Sequence, residues 1–141
     1  MPVKLLLDIN LVLDIFLQRE PHYAASSRVF SLCEQEICQG LLAAQSYATL
    51  FYLLRKGLGK EAAHGNLRLL RQVLATAPLT SAEVDQALNS GFRDFEDALQ
   101  YYVALACGAT HLLTRNPTDY PQTELPVLTP TIFLAIHFPL P

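Results

Sequence analysis

The sequence has few of the residues that most often build zinc, redox or disulphide sites. It contains three cysteines, Cys33, Cys38 and Cys107, and four histidines. An odd number of cysteines without a short paired spacing favours reduced thiols in a cytoplasmic protein over a disulphide framework. No histidine stands at a zinc-ligand spacing from a cysteine. We therefore interpret the cysteines as small buried apolar side chains and expect no zinc site.

Charged residues are also scarce, and no apolar run is long. Asp, Glu, Lys and Arg make up 16% of the 141 residues and the net charge is −3, which argues against a generally basic nucleic-acid-binding surface. A local basic strip in the middle of the chain stays open; its members are Arg55, Lys56, Lys60, Arg68 and Arg71. No apolar run reaches the roughly 18 residues that cross a bilayer. The opening run meets Asp8 before it forms a signal-peptide core, so we expect no membrane association.

What the sequence does contain is an alternation of apolar strands and helices. The predicted strands are 3–7, 40–44, 110–113 and 126–128. The predicted helices include a third helix capped by Ser46 and an amphipathic helix over 60–76. This alternation indicates an α/β fold with a mostly parallel sheet. The length predicts a single domain over residues 1–141.

Three polar clusters stand where a predicted strand ends or a helix begins. Asp8 ends the first apolar run, Asp94–Asp97 opens an apolar helix, and Thr114–Asp119 follows the strand at 110–113. Ligands of open α/β sheets bind beyond the carboxyl ends of the strands, so we expect the clusters to converge there. Several carboxylates in one place are costly unless a cation neutralises them, and hard divalent cations prefer oxygen ligands. The sequence therefore predicts a Mg²⁺ or Mn²⁺ site.

Each acid also has a simpler interpretation. Asp94 and Asp97 share one helix face, but acids at a helix N-terminus also cap free N–H groups and complement the helix dipole. Asp8 alone is often a capping residue, Asn116 precedes a proline and fits a turn, and Asp119 can simply solvate a loop. The metal-site hypothesis therefore depends on the clusters meeting in one pocket.

Four stretches of the chain resemble the PIN domain family, a small metal-dependent ribonuclease fold that includes VapC-type toxins. They keep the family's order and are 7–14 together with the following 19–21, then 52–56, 94–98 and 108–116. The resemblance implies a PIN-like three-layer α/β/α fold with a central, mostly parallel sheet of four or five strands. It also implies hydrolysis of RNA with Mg²⁺ or Mn²⁺ as the cofactor. A toxin of this kind is expected to be a homodimer and to pair with an antitoxin.

The family's metal site usually holds four acids, and this chain matches two of them. The first falls on Asp8 and the third on Asp97, whereas Thr49 and Asn116 stand at the second and fourth positions. The resemblance implies that four residues of this chain are both catalytic and metal-binding: Asp8, Asp94, Asp97 and Asn116. Asp119 is expected to be a further metal ligand. Glu96 is another acid that can compensate for the missing carboxylates.

The sequence allows two interpretations of the residues expected to contact substrate and two of the activity. The residues expected to bind substrate are Asn10, Thr49, Thr114 and Arg115. Arg115 can bind a phosphate bidentately or can neutralise a neighbouring carboxylate. The basic strip can guide the RNA backbone or be a solvated helix face. The chain is then either a metal-dependent endoribonuclease or, given the two missing acids, a weak or inactive module that binds RNA or a protein partner.

Overall fold

The computed structural model describes residues 2–121 and 123–141, and within them five strands form one parallel sheet. The strands are β1 (Lys4–Leu7), β2 (Gln39–Ala43), β3 (Ala75–Ala77), β4 (His111–Leu113) and β5 (Val127–Leu128). Their order across the sheet is β3-β2-β1-β4-β5, and every neighbouring pair is parallel. Parallel neighbours require crossover connections, which helices supply here.

Seven α-helices within the same ranges connect and cover the strands. They are α1 (Ile9–Phe16), α2 (Tyr23–Glu34), α3 (Ala44–Leu58), α4 (Lys60–Val73), α5 (Ser81–Leu88), α6 (Phe95–Ala106) and α7 (Pro130–His137). A short 3₁₀ turn, Pro117–Asp119, follows β4. No helix in the described part of the chain combines the length and the apolar character needed to cross a membrane.

The helices lie on both faces of the sheet because side chains of β1 alternate between the faces. Leu5 and Leu7 pack in one apolar cluster with buried residues of α1, α2, α3, α4 and α7. Leu6 packs in a second cluster with Tyr101, Val103 and other residues of α6, and α5 packs against α6. This arrangement confirms the predicted three-layer α/β/α fold and gives the sheet five strands.

Two local predictions were wrong. The helix predicted over 60–76 ends at Val73, and Ala75–Ala77 forms edge strand β3 instead, paired with Leu41–Ala43 of β2. The pairing with β2 overrides the weak local preference of an Ala-Thr-Ala segment. Ser46 does not cap α3, because β2 runs directly into the helix and the N-cap is Ala43.

The strand order creates a crevice beside β1. The chain builds β2 and β3 on one side of β1 and then returns to place β4 on the other side. Connections leave in opposite directions at such a switch point, which opens a ligand crevice at the carboxyl ends of the strands. The backbone N–H of Asp8 donates to the carbonyl of Leu113 at 3.0 Å, so the ends of β1 and β4 are fixed together at this point.

Candidate metal centre

A pocket of about 190 Å³ lies at the carboxyl ends of β1 and β4. Five of its lining residues are acids: Asp8, Asp94, Glu96, Asp97 and Asp119. The other lining residues are Ile9, Asn10, Gln45, Ser46, Thr49, Gln100, Thr114, Asn116 and Tyr120. Every residue that the sequence nominated for the site, apart from Arg115, is therefore in one place. Among the described residues, no lysine, arginine or histidine lines this pocket.

Asp8 is the most buried of these acids, with 6% of its surface exposed. It occupies the N-cap position of α1, yet its side chain makes no capping hydrogen bond. Its Oδ1 instead accepts from Nε2 of Gln100 at 3.0 Å, and its Oδ2 accepts from Oγ1 of Thr114 at 3.1 Å. The Asp8 carboxylate is thus fixed at both oxygens by side chains from α6 and from the end of β4.

Asp94 and Asp97 approach the pocket from the start of α6. Asp94 is the N-cap, and its Oδ1 accepts from the backbone N–H of Asp97 at 3.0 Å, so its capping interpretation is correct even though it lines the pocket. Burial, followed by the nearby carboxylates of Asp94, Asp8 and Asp119, raises the pKa of Asp97 to about 7. The pocket therefore gathers negative charge that its own side chains do not neutralise.

Gln100 and Tyr120 connect the two central acids and were missed in the sequence. The Nε2 group of Gln100 donates to Asp8 and also to the phenol oxygen of Tyr120 at 2.9 Å. The Tyr120 hydroxyl donates in turn to Oδ1 of Asp97 at 3.5 Å. A signal for Gln100 exists, because it follows Asp97 by three residues on an otherwise apolar helix face. Tyr120 has no comparable signal in its loop.

The segment after β4 supplies the other wall. The backbone N–H of Asn116 donates to Oγ1 of Thr114 at 3.2 Å, and the N–H of Asp119 donates to the carbonyl of Asn116 at 3.0 Å. The turn predicted at Asn116 is therefore present, and Asn116 and Asp119 both line the pocket as exposed residues. Asn10 and Thr49 reach it half-buried from α1 and α3.

Comparison with known proteins agrees with this arrangement. The sequence profile described as PIN domain matches residues 4–118. The chain belongs to the PIN domain family. This PIN domain chain is also 27% identical over 131 residues to ribonuclease VapC1 of Aquifex aeolicus strain VF5. The aligned region covers 89% of this chain and 90% of the relative.

Solved structures share the fold. VapBC2 of Rickettsia felis, bound to a DNA fragment from its promoter, superposes with a TM-score of 0.64 at 18% identity and covers 89% of this chain and 97% of its own. VapC20 of Mycobacterium tuberculosis, a sarcin-ricin loop cleaving toxin, gives a TM-score of 0.63 at 15% identity, with coverage of 77% and 86%. At these identities the likeness concerns the fold, and it confirms the predicted PIN-like architecture.

Arg115 of this PIN domain does not line the acid pocket. Its Nε is 3.3 Å from Oδ2 of Asp14, a fully buried acid of α1, and Arg19 approaches the other oxygen of Asp14 at 3.9 Å. Burial raises the pKa of Asp14, and the charge of Arg115 opposes that shift. The structure thus matches the second prediction for Arg115, neutralisation of a carboxylate. Asp14 itself was missed, although a single acid within an apolar helix is a usable signal.

The residues of the pocket fit a hard divalent cation that retains water. Within residues 2–121 and 123–141, no three His, Cys, Asp or Glu side chains are grouped closely enough to hold a metal by themselves. Mg²⁺ commonly keeps several waters and takes only one or two protein carboxylates. Burial and the neighbouring carboxylates both disfavour the ionised form of Asp97, and a positive charge in the pocket would favour that form. The donor set suits Mg²⁺ or Mn²⁺ bound partly through water.

Proposed function

We propose that this PIN domain is a metal-dependent endoribonuclease that hydrolyses RNA phosphodiester bonds, as the toxin of a toxin–antitoxin pair. The observation that carries the proposal is the pocket itself. Carboxylates that follow β1, begin α6 and follow β4 line one crevice, and none of its described lining residues is basic. The relationship to ribonuclease VapC1 of Aquifex aeolicus supports the same activity.

In this proposal Asp8 and Asp97 would hold the cation directly, and Asp94, Asn116 and Asp119 would hold it directly or through water. A bound Mg²⁺ or Mn²⁺ would polarise a phosphoryl oxygen and lower the pKa of a water that attacks in line. The chain's own contribution is orientation, because Thr114 and Gln100 fix the Asp8 carboxylate. At the rim, Asn10 and Thr49 offer amide and hydroxyl groups to the sugar–phosphate backbone.

The basic strip is proposed to guide the RNA. Its five residues, Arg55, Lys56, Lys60, Arg68 and Arg71, are exposed on the end of α3 and on α4. Contacts between such side chains and phosphates are weakened by salt because bound counterions are released on binding. If the strip is only a solvated helix face, removing its charges will leave RNA affinity and its salt dependence unchanged.

The test is cleavage of single-stranded RNA by the purified protein. We expect cleavage with Mn²⁺ or Mg²⁺ and none in EDTA. Asp8→Asn and Asp97→Asn should each lower the rate by more than about 100-fold, beyond the loss typical of residues one step removed from a metal. Asp85→Asn, at an exposed acid of α5 outside the pocket, is the matched control and should retain activity. Cleavage that survives EDTA or both pocket variants contradicts the proposal.

A second candidate is a weak or inactive PIN module that binds RNA or a protein partner. Thr49 and Asn116, both lining the pocket, stand where the family usually has acids, and each lost acid weakens the attraction for a cation. Calorimetric titration of Mn²⁺ separates the candidates. Measurable binding together with RNA cleavage supports the nuclease, whereas an RNA mobility shift without metal binding or cleavage supports the module.

We also propose a protein antitoxin and a homodimer. Large apolar side chains are exposed on α3, α4 and α7, among them Tyr52, Leu69, Ile132 and Ile136. Exposed apolar surface of this kind often marks a site where a partner protein binds. The structure of VapBC2 of Rickettsia felis was solved with the complex bound to DNA. Co-purification with the product of the neighbouring reading frame tests the antitoxin. Light scattering tests the homodimer, which a monomer mass at micromolar concentration would contradict.

A further inference from the structure

We infer that Gln100 is the positioning residue of the acid pocket, because it fixes the direction of the Asp8 carboxylate and of the Tyr120 hydroxyl at the same time. The inference rests on the proposed metal-dependent function and names a residue that controls it. Gln100 is not proposed to touch the cation or the RNA. It acts on the groups that do.

The geometry joins three distant segments at a single nitrogen. Gln100 lies on α6 with 4% of its surface exposed, Asp8 follows β1, and Tyr120 follows the turn after β4. The Nε2 group donates to Oδ1 of Asp8 at 3.0 Å and to the phenol oxygen of Tyr120 at 2.9 Å. An amide nitrogen carries two hydrogens, so both are committed. The side chain therefore cannot turn without breaking one of these bonds.

These two bonds determine how the acids face the pocket. With Gln100 on Oδ1 and Thr114 on Oδ2, the Asp8 carboxylate is held at both ends and keeps its remaining lone pairs for the pocket. Because the Tyr120 oxygen accepts from Gln100, its own hydrogen is directed to Oδ1 of Asp97 at 3.5 Å. One buried amide thus holds the Asp8 carboxylate directly and directs the Tyr120 hydroxyl toward Asp97.

A structural role alone does not account for the choice of glutamine. Burying an amide in an otherwise apolar helix face costs free energy unless its hydrogen bonds are made, whereas methionine fills a similar volume without that cost. The neighbours of Gln100 on α6, Leu99, Tyr101 and Val103, are buried and contribute to the apolar clusters. The hydrogen bonds of Gln100 are directed to pocket residues, which is the arrangement expected of a residue that orients metal ligands.

The test is the affinity for Mn²⁺, measured by calorimetry on the full chain. Gln100→Met should weaken Mn²⁺ binding by about 10- to 100-fold, the usual effect of losing a partner that orients a ligand. Its circular dichroism spectrum should remain that of the wild type. Gln35→Met is the matched control, because Gln35 is an exposed glutamine whose Nε2 bonds only to Ser31 in the described structure. Equal Mn²⁺ affinity in Gln100→Met and wild type overturns the inference.

A measurement on the wild-type protein keeps the inference testable if Gln100→Met does not fold. The side-chain amide hydrogens of Gln100 should exchange with solvent much more slowly than those of Gln35, and their NMR signals should shift when Mg²⁺ is added. Fast exchange with no shift overturns the inference.

The two proposals fail in different ways. If the wild type binds Mn²⁺ but leaves RNA intact, the ribonuclease proposal fails, and the Gln100 inference stands or falls on the variant's affinity. If the wild type binds no Mn²⁺, both fail. If the wild type binds Mn²⁺ and cleaves RNA while Gln100→Met does both equally well, only the positioning inference fails.

Discussion

At the scale of single residues, Asp97 shows most directly that the pocket concentrates negative charge. Burial and the carboxylates of Asp94, Asp8 and Asp119 raise its pKa to about 7, and the hydrogen bond from Tyr120 offsets only part of that shift. A carboxyl group with a pKa near neutrality holds a proton at pH values between about 4 and 7, at which an ordinary aspartate is ionised. Its protonation should therefore affect both folding and metal binding.

The first prediction concerns stability without metal. Asp97 keeps its proton in the folded protein up to about pH 7, whereas the unfolded chain loses it near the ordinary pKa of 3.8. The folded state then binds more protons in this window, so the free energy of unfolding should fall as pH rises from about 4 to about 7. Urea unfolding across this range should show a flatter dependence in Asp97→Asn, while Asp85→Asn should follow the wild type. Identical slopes in all three proteins would refute the assignment.

A second prediction concerns protons released on metal binding. A cation must displace the proton that Asp97 holds below its pKa of about 7. Calorimetry of Mn²⁺ binding in two buffers of different ionisation enthalpy should therefore detect proton release at pH 6. The release should disappear at pH 8. Asp97→Asn should show none at either pH, and wild-type binding at pH 6 without proton release would rule out the coupling.

The third prediction concerns the ion pair of Arg115 and Asp14. Arg115→Gln leaves the fully buried Asp14 carboxylate short of its nearest positive charge, which should destabilise the fold by about 3 kcal/mol. Adding Asp14→Asn to that variant should recover part of the loss, because the unpaired charge is gone. Arg71→Gln, at an exposed position of α4, is the control and should change little. Thermal or urea unfolding gives the comparison, and an Arg115→Gln protein as stable as the control would be contrary evidence.

At the scale of elements, the sequence predicted those whose signals are local. Strands β1, β2, β4 and β5 are apolar runs next to turn residues, and each was placed within a residue or two. β3 was not found, because Ala75–Ala77 becomes a strand only through its pairing with β2. Similarly, acids at the ends of elements could be nominated for the site. The bonds of Gln100 to Asp8 and Tyr120 depend on tertiary proximity that no local pattern encodes.

A fourth prediction tests how β2 packs beneath the helices. A Cβ atom on Gly40 would lie 2.4 Å from Cδ2 of Leu74 and 2.7 Å from Sγ of Cys33. Gly40→Ala should therefore overpack this contact and destabilise the protein by about 1–3 kcal/mol. Gly65→Ala is the control, since a Cβ there meets nothing within 4 Å and alanine should favour helix α4. Urea unfolding should move the two variants in opposite directions, and equal stability would contradict this packing.

At the scale of the whole molecule, topology brings the chemistry together. β4 returns to pair with β1, so Leu7 and Leu113 stand in register and the residues after them share one crevice. Helix α6 packs on the face of the sheet that bears Leu6, and it adds Asp97 and Gln100 to the lining of the acid pocket. Segments about a hundred residues apart thus form one acidic pocket, on which the proposed metal-dependent activity depends.

The most direct test of that claim is a crystal structure of the protein grown with Mn²⁺, read by its anomalous scattering. We predict one strong peak in the acid pocket, about 2.0–2.6 Å from carboxylate oxygens of Asp8 and Asp97, the range for hard cations bound to oxygen. Asp8→Asn crystals should lose the peak. The absence of an anomalous peak in the pocket, or a peak only at some other surface, would contradict the claim.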